Sequence, residues 1–167
     1  MLFRSQRALE IRRKTLGESH PDTAGSYNNI GCTQQALGDY TSALQSHHQA
    51  LEIRRKTLGE NHPDTATSYG NIGNAQQALG HYASALQSHQ RALEIRLKTL
   101  GENHPDTVAS YDNIGNTQQA LGDYTSALQS HQRALEIRRK TLGENHPDTA
   151  ASYNNIECTQ KALGDNT

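Results

Sequence analysis

The chain has 167 residues, enough for one domain of ordinary size. Its 16 basic and 17 acidic residues leave a net charge of −1. That balance excludes the basic excess a nucleic-acid or anionic-membrane partner calls for. Hydrophobic residues make up only 33% and aromatics 5%. So lean a composition by itself reads as disorder, and any fold must come from how those residues are spaced.

The chain opens Met1-Leu2-Phe3-Arg4-Ser5-Gln6-Arg7, with no apolar run of the kind a secretory signal needs. Its arginines invite a transit-segment reading, but residues 7–16 repeat the text of residues 133–142 and so belong to the fold. No run of about 20 apolar residues is present, so no membrane span is expected. Cys32 and Cys158 lie three repeats apart. They do not form a disulfide framework, and a reduced, cytoplasmic protein is expected.

Self-similarity decides the architecture. His-Pro-Asp-Thr recurs at His20, His62, His104 and His146, a period of 42. Residues 59–100 and 101–142 differ at seven positions, as do residues 17–58 and 101–142. Each unit reads as two helices. In residues 59–100, Pro63 suits a first helical turn and Asp64 the positive end of the helix dipole. Tyr69, Ile72, Gln76 and Leu79 follow at helical spacing, and Gly80 closes the helix as a left-handed cap. A second helix is predicted from about Tyr82 to Leu100, with Ala85, Leu86, Ala92, Leu93, Ile95 and Leu100 inward. Gly73, Ala85 and Ala92 let backbones approach.

Neither helix buries its stripe alone, so successive units stack as a solenoid. The chain divides into a half unit at 1–16 (second helix only), units at 17–58, 59–100 and 101–142, and a half unit at 143–167 (first helix only). The prediction is one all-α array of about eight antiparallel helices, with no strand.

Tyr69, Ile72, Gly73, Gly80, Tyr82, Ala85 and Ala92 sit at the signature positions of the tetratricopeptide repeat (TPR). Tyr27/Ile30/Gly31 and Tyr111/Ile114/Gly115 repeat the match. The chain therefore resembles that family, and a right-handed α-solenoid of helix-turn-helix repeats is implied. The segments Arg91–Arg96 and Leu100–Asp106 resemble the 42-residue repeat of kinesin light chains and nephrocystin-3-like proteins. The heptad coiled coil of kinesin light chains is absent. Where the family prefers bulky aromatics, this chain has Gln34, Gln76 and Gln118 facing His47, His89 and His131. A Gln–His hydrogen bond is expected there, with modest stability per repeat.

In the family, the first helices line a concave groove. The resemblance assigns to it Asn28 and Asn29, then Asn71, Asn74 and Gln77, then Asp112, Asn113, Asn116 and Gln119, then Asn155. Asn29, Asn71, Asn113 and Asn155 form a ladder, one per unit. A carboxamide both donates and accepts, so it pairs with a peptide backbone whatever the side chains are. The competing reading is that these asparagines bond neighbouring helices. The groove reads as polar and almost uncharged, without the basic clamp for an acidic chain terminus.

The nine histidines suggest a metal, but equivalent residues on stacked helix pairs stand about 10 Å or more apart. No metal site and no cofactor are expected; the loop histidines cap or pack at helix starts. No phosphate-cradling loop or nucleophile–base pair is present, and no enzyme is expected. Arg54-Arg55-Lys56 and Arg138-Arg139-Lys140 read as solvated, partly paired patches. The leading function is a non-catalytic scaffold for a peptide or protein ligand. The alternatives are head-to-tail self-stacking through uncapped ends, or a piece of a larger protein, such as an NTPase sensor array or a cargo adaptor.

Overall fold

The computed structural model describes residues 2–164, all in helices or short turns. The close of the last half unit, residues 165–167, lies outside them. The helices are α1 (Leu2–Leu16), α2 (Pro21–Ala36), α3 (Tyr40–Thr57), α4 (Pro63–Ala78), α5 (Tyr82–Thr99), α6 (Pro105–Ala120), α7 (Tyr124–Leu142) and α8 (Pro147–Gly164). This is the expected all-α repeat array. The helices fall into two compact units, Met1–Ile95 and Arg96–Thr167, with the boundary inside α5.

The His-Pro-Asp-Thr phrase is a helix-starting device. The His20 Nδ1 accepts from the Asp22 N–H at 3.1 Å, and His62, His104 and His146 cap α4, α6 and α8 in the same way. The proline takes a position where no N–H is needed. The threonine faces inward. Thr23, Thr65, Thr107 and Thr149 are 0% exposed, and each hydroxyl donates at 2.8 Å to the carbonyl of the glycine before the loop. Helix ends are glycine-closed as predicted: Gly80 has φ +79° and Gly101 +84°.

In the first unit, Ala24 of α2 packs against Ala50 and Ile53 of α3, with Tyr27 alongside. In the second, Val108 of α6 packs against Ala134 and Ile137 of α7, with Tyr111 alongside. Small residues carry these cores because they let the paired backbones close in. Ala85, Ala92 and Ile95 are buried as expected. Leu86, Leu93 and Leu100, also predicted inward, are only half-buried.

Candidate functional site

The first helices carry the candidate site, and α2, α4 and α6 are each held by the partner helix through a histidine. His47, His89 and His131 are 0–1% exposed. Each ring lies over a glycine of the paired first helix: a Cβ on Gly31 would stand 2.5 Å from His47 Cε1, and one on Gly73 or Gly115 2.6 Å from the His89 or His131 Cε1. These glycines admit an imidazole, which is more specific than the general backbone approach predicted.

The polar pairing differs from expectation by one residue. His47 Nε2 meets Gln35 Oε1 at 3.0 Å, not Gln34. Gln34, Gln76 and Gln118 instead accept from the hydroxyls of Ser46, Ser88 and Ser130, each at 2.7 Å. The shift follows from geometry. A ring seated on Gly31 reaches the residue four positions on, while the short serine before it reaches Gln34. Burial, aided by Arg54 and His48, pushes the His47 pKa down to about 4, so the ring is neutral. His48 next to it is exposed, on another face of the helix.

A second departure concerns charge. Arg54 is only 9% exposed, not part of a solvated patch. Its Nη1 donates to the Asp64 carbonyl at 3.0 Å and to Ser68 Oγ at 2.8 Å, tying α3 to α4. Arg12 does the same to Asp22 and Ser26, and Arg96 to Asp106 and Ser110. Arg138 donates to Ser152 Oγ at 2.6 Å and pairs with Asp112 Oδ2 at 2.6 Å. One fork therefore binds each second helix to the first helix that follows. The sequence did carry a signal. The column 12, 54, 96, 138 is arginine throughout, whereas the next column reads Arg13, Arg55, Leu97, Arg139. The neighbours behave as expected: Arg55 pairs with Glu60 at 2.5 Å and Lys56 with Glu52 at 2.7 Å, in solvent.

Asp112 thus faces both Arg138 and His131, whose Nδ1 is 3.3 Å from Asp112 Oδ1. The site is polar but not nearly uncharged. Asn28 and Asn71 are joined, the Asn71 amide donating to Asn28 Oδ1 at 2.9 Å across α2 and α4. Asn71, Asn113 and Asn155 are half-buried rather than exposed. Gln119 accepts from the Thr159 hydroxyl at 3.0 Å. Asn29, Asn74 and Asn116 are exposed, and Gln77 is half-buried. In the second unit, Asn116 and Gln119 line a shallow cleft of about 380 Å³ with Ala120, Tyr124 and Ala162. Among the described residues, no three His, Cys, Asp or Glu side chains gather as a metal site. No described helix is long and apolar enough to cross a membrane.

The family model for the tetratricopeptide repeat matches residues 4–56, 33–98, 82–140 and 106–167. The chain belongs to the tetratricopeptide repeat family. TPR arrays of this kind are in general protein-interaction scaffolds without catalytic function. A kinesin light chain-like protein of Podosopora anserina with nearly identical TPR-like repeats is similar at 28% identity. That match covers 98% of this chain and 78% of that one, at a TM-score of 0.86. BtubC (BKLC) from P. vanneervenii is similar at 26% identity over 96% of this chain and 64% of its own, with a TM-score of 0.86. The apo form of RapI, at 20% identity and a TM-score of 0.80 over 98% of this chain and 58% of its own, shares the TPR fold alone. No curated protein sequence matches the chain significantly.

Proposed function

We propose that this TPR array is a non-catalytic scaffold that holds an extended peptide segment of a partner protein against its first helices. The observation that carries the reading is a division of labour within those helices. One face is sealed: Ala24, Ala66, Ile72 and Ile114 are 0–5% exposed. The faces that carry Asn29 and Asn74 in the first unit and Asn116 in the second stay open to solvent. A row of carboxamides has little to gain from solvent alone and matches the donors and acceptors of a peptide backbone. The Asn71–Asn28 bond gives that row a fixed element, so part of the ordering cost is met before a ligand arrives. In the second unit Asp112 lies one turn before Asn116 on α6, and its charge is matched by Arg138. The favoured ligand is therefore uncharged where it crosses this position.

A random-peptide display selection tests the proposal, with counter-selection against the variant Asn74→Ala, Asn116→Ala. Both side chains are exposed, so the variant keeps its helical circular dichroism. A peptide motif enriched on the parent chain alone is the expected result. Equal enrichment on both proteins, or none on either, would remove the carboxamide face from the account.

A further inference from the structure

The buried histidine is bonded differently in the two units. In the first, His47 Nε2 meets Gln35 Oε1 at 3.0 Å. A carboxamide oxygen only accepts, so Nε2 carries the proton of this neutral ring. Nδ1 is then bare, and it is buried without a hydrogen-bond partner. Asn28 is turned away from the ring, accepting from Asn71 and donating to Cys32 Sγ.

In the second unit Asp112 stands in the repeat position of Asn28. Arg138 fixes its Oδ2 at 2.6 Å, and its Oδ1 faces His131 Nδ1 at 3.3 Å. An ionised carboxylate only accepts, so here Nδ1 carries the proton. The buried atom without a hydrogen-bond partner is now Nε2. Bare of a proton, it has nothing to donate to an amide oxygen. Gln119, the counterpart of Gln35, takes the Thr159 hydroxyl of α8 on its Oε1 at 3.0 Å. That hydroxyl is shared with the Asn155 carbonyl at 2.7 Å. Thr159 is 0% exposed, so the oxygen end of Gln119 is turned inward. Its amide nitrogen has no partner among the described residues, and the side chain lines the cleft beside Asn116.

We infer that Asp112 is a positioning residue for this cleft. By holding the His131 proton at Nδ1, it releases Gln119 from α7 to bridge α6 and α8, and leaves the Gln119 amide N–H groups to a carbonyl of the ligand. What the cleft takes rests on the peptide-binding reading. The state of the ring and the bridge do not, and both are read with no ligand present.

Imidazole and side-chain amide proton–nitrogen correlation spectra of the full nitrogen-15-labelled chain test this. In the parent, His131 should show a protonated Nδ1 and His47 a bare one. Asp112→Asn gives the position the residue type of the first unit, with Asn155 in the repeat position of Asn71. Arg138 then keeps Ser152, as Arg54 keeps Ser68. In this variant the His131 proton should move to Nε2 and Gln119 should return to it, read as a shift of the Gln119 side-chain amide signals. Thr159→Val removes only the far end of the bridge, so it should shift the same amide signals and leave the proton on Nδ1. A bare Nδ1 on His131 of the parent chain would overturn the inference without any variant. So would a proton still on Nδ1, or Gln119 signals unmoved, in Asp112→Asn.

Discussion

Gly31→Ala should destabilise the protein by about 2 kcal/mol, although alanine is the better helix former by about 1 kcal/mol. The new methyl would stand 2.5–2.8 Å from three atoms of the His47 ring. That ring is fully enclosed, and its Nε2 is held by Gln35, so it cannot swing aside without losing both burial and partner. Gly25→Ala is the control within the same helix. A Cβ at Gly25 meets nothing within 4 Å, so this change should stabilise by up to about 1 kcal/mol. Denaturant unfolding of the two variants should therefore give opposite signs. Adding His47→Ala to Gly31→Ala should cost less than the two single changes together, because the methyl occupies part of the space the ring vacates. Stabilisation by Gly31→Ala would mean that the glycine is a relic of duplication and not a seat for the histidine.

The second large effect is expected at Arg54. Arg54→Ala should cost about 3 kcal/mol, since it removes a largely buried side chain and takes the buried Ser68 hydroxyl's partner away. Arg54→Met keeps the stem and should cost less, because part of what the arginine contributes is packing. Burial also holds the Arg54 pKa below that of free arginine, so the charge itself is a cost that methionine removes. Arg55→Ala, one residue on, should change stability by less than about 0.5 kcal/mol. Its guanidinium pairs with Glu60 in solvent, 54% exposed. Urea unfolding of the three variants checks the ranking. Equal losses at Arg54 and Arg55 would contradict the buried role.

What the sequence revealed and what it hid divide along one physical line. Helix starts and stops depend on local chemistry, so His20-Pro21-Asp22-Thr23 and Gly80 could be read directly. The burial of Ala85, Ala92 and Ile95 follows from helical spacing, which is also visible in one strip of text. Register between helices is not local. Whether His47 meets Gln34 or Gln35 depends on how far the paired helices slide, and no residue spacing encodes that distance. The arginine column escaped for a related reason. Arg54 and Arg55 are chemically alike in sequence, and only the position of α4 decides which guanidinium is buried. The carboxamide row was assigned to the first helices through the family resemblance alone. Its internal bond from Asn71 to Asn28 was the competing reading of the same residues.

That bond bears on binding. If Asn71 and Asn28 satisfy one another, the groups left to meet a ligand are Asn29, Asn74 and Asn116, whose side chains are exposed. On the proposed reading they recognise peptide N–H and C=O groups, so affinity should depend on the ligand's backbone more than on most of its side chains. The most direct test is to titrate the peptide recovered by display against the parent chain, with each backbone N–H replaced in turn by N-methyl. The account predicts at least one position, away from proline, where a single methyl weakens binding about tenfold or more while alanine at that position is tolerated. Affinity that is indifferent to every N-methyl group and follows the side chains alone would contradict backbone recognition by the asparagine row.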